Sequence, residues 1–105
     1  MQEVLTLKGL QEYIRRTDHQ PHLKTAYYLK LIEETGELAE AIRKDKREAD
    51  TGTIKGTIEE ELYDVLYYIA ALANVYEIDL ETCFRHKEQI NKAKWNKEAG
   101  GGYER

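Results

Sequence analysis

The stretch Leu62–Tyr76, LYDVLYYIAALANVY, constrains the fold more than any other part of the chain. Asp64 is its one charged residue, and wound as a helix it is apolar on nearly every side. A helix with one solvated face instead keeps its apolar residues in a stripe about 100° wide. The run is shorter than the roughly 20 residues needed to cross a bilayer, and no other apolar run reaches that length. This helix therefore needs cover on two sides. A chain of 105 residues supports one domain with a thin core, so its own helices supply one side. The other side implies association of identical chains, as a homodimer or homotetramer; the plain alternative is a central helix enclosed within a single bundle.

Three further helices surround this one. The first is expected from about Leu7 to Arg16, with Thr6 as N-cap and Leu7, Leu10, Tyr13 and Ile14 as its stripe. Pro21 in TDHQPH ends it. The second covers roughly Leu23 to Lys46, with Tyr27, Leu31, Leu38 and Ile42 facing inward and Lys44 and Lys46 suiting its C-terminal dipole. READTGTIKG, residues 47–56, reads as a loop, and TIEE then opens the next helix as a capping box of Thr57 and Glu60. That helix ends near Tyr76; the last, capped by Asp79, runs from Leu80 to about Asn96. Strand-like alternation is absent. The expectation is an all-α, four-helix bundle-like domain with its core over residues 6–96 and a loose tail at 97–105.

The net charge of -4 offers no electrostatic attraction to a nucleic-acid backbone or an anionic membrane. Cys83 stands alone, so neither an internal disulfide nor a thiol-rich zinc site can form. No signal-peptide pattern opens the chain, which makes the cytoplasm the expected location.

Carboxylates recur at spacings of three in EETGE, residues 33–37, and EEELYD, residues 59–64. At about 100° per residue, Glu34 falls at the margin of the second helix's apolar stripe and Glu37 about 60° further round. Glu33 and Glu40 point towards water. On the third helix Glu61 borders the Ile58, Leu62, Val65 and Ile69 face, and Asp64 lies about 60° further on. If the two helices pack antiparallel, the pairs face each other, and four anionic groups in a partly desolvated patch repel unless a cation offsets them. Hard oxygen donors suit Mg²⁺, with Mn²⁺ as a substitute, and disfavour zinc. A di-iron site would need Glu-x-x-His motifs, which are absent. The plain alternative is a solvated acidic surface paired with Lys30 and other basic residues.

LKLIEETGELAEAI followed by EEELYDVLYYIAALA resembles the MazG-like family of all-α nucleoside triphosphate pyrophosphohydrolases, over roughly residues 23–96. The resemblance implies a metal-dependent helical enzyme that cleaves a nucleoside triphosphate to the monophosphate and pyrophosphate. Carried over, the Mg²⁺ ligands are Glu34, Glu37, Glu61 and Asp64, with Glu33 at most an outer residue. Related deoxycytidine triphosphatases further imply that Tyr68 contacts the base and that Lys87, Asn91 and Lys94 hold phosphate and nucleoside. Their base-sandwiching aromatics do not align here; Tyr27, Tyr28 and Trp95 are the candidates, and each is also an ordinary packing residue.

The implied chemistry is in-line attack of water on phosphorus, with Glu37 as the candidate base and Lys87, Lys94 or Lys30 offsetting the charge of departing pyrophosphate. Two other functions stay open: a phosphoribosyl-ATP pyrophosphohydrolase of the same superfamily, and a non-catalytic helical oligomerisation or regulatory module.

Overall fold

The structure is a computed structural model that describes residues 4–97. Four long helices, α1 (Leu7–Thr17), α2 (Lys24–Arg43), α4 (Ile58–Val75) and α5 (Leu80–Lys97), are joined by a 3₁₀ turn at Pro21–Leu23 and a one-turn helix α3 (Glu48–Thr51). No strand occurs among the described residues, and no helix among them is long and apolar enough to cross a membrane. The all-α expectation holds, with α3 as an addition inside the 47–56 loop.

Local chemistry sets the helix ends. The Thr6 hydroxyl accepts from Gly9 N–H at 2.9 Å, and the Thr57 hydroxyl from Glu60 N–H at 3.3 Å. The expected box closes one residue early: Glu60 Oε1 accepts from Gly56 N–H at 2.6 Å, because Thr57 N–H is already bonded to Ile54 O. Gly56 sits at φ 76°, a left-handed conformation that suits glycine. The second helix stops at Arg43, short of the expected Lys46. There Asp45 turns left-handed (φ 52°), and Lys46 N–H and Asp45 N–H bond back to Ala41 O and Ile42 O. Glu77 ends α4 in the same way, with Ile78 N–H on Ala73 O. The last helix continues through Lys97, one residue into the expected tail; residues 98–105 lie outside those described.

Contacts spaced along α2 and α4 show that the pair is antiparallel. Lys46 O accepts from Ile58 N–H at one end, and Lys24 Nζ lies 5.1 Å from the Tyr76 ring at the other. Between these ends Tyr27 and Tyr67 both donate to Asp18, through bonds of 2.8 and 2.6 Å. Helix α1 crosses α4 where α4 is small: Ile14 is fully enclosed against Ala70 and Ala71. At that crossing Gln11 and Asn74 are buried and bonded to each other, and Gln11 also accepts from Leu80 N–H, fixing the start of α5.

The inward faces differ from the sequence expectation. On α4 the side turned to α1 and α2 carries Glu61, Ala70, Ala71 and Asn74. Leu62 and Ile69, expected as core, are 53% and 40% exposed, as is Leu66 at 40%. Ile42 and Tyr13, also expected inside, are exposed. The apolar residues left uncovered are the larger ones; the alanines permit the close helix approach within the chain. The radius of gyration, 17.0 Å, exceeds the roughly 13 Å of a compact chain of this length, in keeping with α5 packing chiefly on α1.

Candidate metal centre

The antiparallel seam brings the middle of α2 against the first turns of α4. Glu34, Glu61 and Asp64 each offer an oxygen there, and these oxygens all lie within 4.8 Å of one another. In an octahedral site with ligands at about 2.1 Å, opposite oxygens stand roughly 4.2 Å apart, so small side-chain rotations close the difference. Glu34 and Glu61 are buried, at 8% and 6% exposure, which is deeper than the core margin that spacing suggested. Glu34 Oε1 and Glu61 Oε1 are buried atoms without a hydrogen-bond partner. Orphaned, hard oxygen donors of this kind fit a divalent cation such as Mg²⁺.

The electrostatics have the same origin. Burial, reinforced by the adjacent Glu34 carboxyl and the charges of Glu37 and Asp64, pushes the Glu61 carboxyl up to about 7. Burial and then Glu37 raise Glu34, and burial and then Glu60 raise Asp64. Without a cation the cluster therefore keeps a proton near neutral pH, because three desolvated carboxylates in contact cannot all ionise cheaply.

Glu37 stands one turn after Glu34 and is exposed; its field reaches Glu34 and Glu61, but it is not among the three oxygens that converge. Glu33 faces outward and pairs with Lys30 at 3.1 Å, and Glu40 pairs with Arg43 and Lys44. Tyr68, one turn beyond Asp64, is half-buried beside the core; burial raises its hydroxyl, and the charges of Lys30, Glu34, Asp18 and Asp64 all bear on it. Lys87 and Lys94 are exposed and Asn91 is half-buried on α5, which packs chiefly on α1 rather than on the α2–α4 seam that holds the carboxylates. Among the aromatic candidates, Tyr27 is buried and bonded to Asp18, Tyr28 is exposed, and Trp95 is half-buried. Asp18 lies in the TDHQPH segment, directly after α1. Its role as joint acceptor for tyrosines on α2 and α4 left no signal in spacing, since it joins residues 9 and 49 positions away.

An antiparallel helix pair with acidic side chains turned into its seam defines the class, an all-α fold built around a cluster of carboxylates. Residues 20–96 match the model of the MazG nucleotide pyrophosphohydrolase domain, and the chain belongs to that family. It is similar to the uncharacterized protein YvdC of Bacillus subtilis (strain 168), with 31% identity over 97 residues, 81% of this chain and 89% of that one. It also resembles two crystal structures of iMazG from Vibrio DAT 722 at 45% identity. For the N-tagged form the TM-score is 0.78, covering 88% of this chain and 99% of that one. For the C-tagged form it is 0.76, with 84% and 99% covered.

Proposed function

We propose that the protein is a Mg²⁺-dependent nucleoside triphosphate pyrophosphohydrolase that splits the α–β anhydride to give a nucleoside monophosphate and pyrophosphate. The observation that carries this reading is the pair of buried, partnerless carboxylate oxygens on Glu34 and Glu61, beside Asp64, in a chain of this family. Glu34, Glu61 and Asp64 would hold the cation, with Glu37 completing the set from the rim. A divalent ion at that place supplies charge that offsets phosphate and polarises water.

The chain's own groups do the rest. Glu37, exposed and one turn after Glu34, would accept the proton of an attacking water. Tyr68 offers an apolar ring and a hydroxyl for the base. Lys87, Asn91 and Lys94 are assigned to phosphate and nucleoside, and a second copy of the chain is what delivers them. Support for such a copy comes from the uncovered Leu62, Leu66 and Ile69 of α4 and Leu29 and Ile32 of α2, which one chain leaves in water. A homodimer or homotetramer would cover them.

The test is incubation of the protein with a panel of ribo- and deoxyribonucleoside triphosphates and Mg²⁺, with the products resolved by chromatography. Monophosphate with pyrophosphate is expected, and chelation should abolish both. Orthophosphate release would refute the reaction. Turnover of phosphoribosyl-ATP alone would move the substrate assignment to that compound, and absence of both turnover and cation binding would leave a non-catalytic helical module.

A further inference from the structure

Lys30 lies on α2 one turn before the acidic pair. Its Nζ is 3.1 Å from Glu33 Oε1 and 3.8 Å from Glu34 Oε2. The two ends of the second contact differ in environment: the Lys30 side chain is 45% exposed and that of Glu34 only 11%. Glu34 thus turns one oxygen to the ammonium, while its other oxygen is buried without a partner. The charge of Lys30 also acts on Asp64 and Tyr68, opposing at each the upward push of burial. One flexible cation at the mouth of the cluster therefore acts on residues of both helices. An ammonium on a four-carbon stem, half in water, makes a weak pair that is easily exchanged.

We propose that Lys30 is a resident counter-cation of the cluster, which pairs with Glu34 before metal binds and transfers to the phosphates of the nucleotide once a divalent ion occupies Glu34. The proposal rests on the metal-dependent reading above. Its basis is Coulombic. With Nζ 3.8 Å from Glu34 Oε2, a divalent ion held by either oxygen of Glu34 would lie within roughly 6–8 Å of the ammonium, and in water-like surroundings that repulsion would weaken metal binding by up to about tenfold. Repulsion turns the ammonium outward, where a triphosphate presents anionic oxygens. A lysine serving only as the surface partner of Glu33 would show neither effect.

The experiment compares wild type, Lys30→Gln and Lys30→Arg, with circular dichroism confirming equal helicity. Mn²⁺ binding without nucleotide is followed by electron paramagnetic resonance. Binding of an α,β-imido triphosphate is then measured at saturating Mn²⁺. Lys30→Gln is expected to bind Mn²⁺ about tenfold more tightly, an effect that shrinks with added salt, and to bind the nucleotide about tenfold more weakly. Lys30→Arg should follow wild type in both. This opposite-signed pair of changes is the signature. Unchanged or weaker Mn²⁺ binding by Lys30→Gln overturns the counter-cation, and unchanged nucleotide binding overturns the transfer. Failure of wild type itself to bind Mn²⁺ would instead overturn the metal-dependent reading on which both rest.

Discussion

Replacing Glu61 by glutamine should stabilise the metal-free protein while removing its response to magnesium. Glu61 is buried, and its carboxyl is raised from the ordinary 4.5 to about 7. A raised carboxyl means that the folded chain binds the proton more tightly than the unfolded one. Its favourable contribution is thus complete below about 4.5 and is lost as pH rises through about 7. The span of roughly 2.5 units corresponds to about 3 kcal/mol at alkaline pH. Glutamine is neutral at every pH and still needs partners for a buried amide, so about 1–2 kcal/mol of that should be recovered. For a domain of this size the gain amounts to a rise in Tm of about 5–15 °C. Thermal unfolding in chelator at about pH 8 should show Glu61→Gln melting above wild type, and the difference should vanish between about pH 5 and 6 and reverse in sign below that. Saturating Mg²⁺ should raise wild type by about 2–3 kcal/mol and the variant by far less. A variant that is less stable than wild type in chelator at alkaline pH, or an equal response of both proteins to Mg²⁺, would refute the account of a strained cluster relieved by a cation.

Asp18→Asn should cost about 2 kcal/mol in urea unfolding at neutral pH, because it removes a charged acceptor shared by Tyr27 and Tyr67. The Tyr67 bond, more than that of Tyr27, holds the Asp18 carboxyl below its ordinary 3.8, so its contribution is present above that value and the cost should fade as acid protonates the folded carboxyl. Glu37→Gln should lower kcat by about 100-fold or more while Mg²⁺ still raises Tm, because Glu37 lies outside the three converging oxygens. Leu66→Lys, at a 40% exposed position on α4, should weaken self-association at least about 100-fold in sedimentation velocity with helicity unchanged.

Local signals in the sequence were legible because they act over three or four residues. Thr6, Thr57 and Asp79 mark helix starts through their own hydrogen bonds, and the structure uses each where expected, whereas Pro21, expected to end α1, instead opens the 3₁₀ turn four residues beyond Thr17. The inward side of α4 was not legible. A hydrophobic pattern adds together burial within the chain and burial against another chain, and the larger residues Leu62 and Ile69 dominate that sum. The alanines that in fact meet α1 weigh little in it, although their small size is what admits a neighbouring helix. The carboxylate pairs were visible as spacing, but their depth was not, since charge in a sequence argues for the surface until a seam turns it inward. The separation of Glu37 from the other three follows from side-chain placement, which an angular estimate on an ideal helix does not contain.

Glu61 and Leu62 are adjacent in the chain and face opposite environments, acid turned inward and leucine turned outward. Deleting one residue upstream within α4 would rotate everything after it by about 100°, misplacing the leucine face and the acidic seam at once. The connection over residues 44–57 carries no such phase, so natural or engineered variation in length belongs there. Between Ile58 and Asp64 the spacing is as constrained as the side chains themselves.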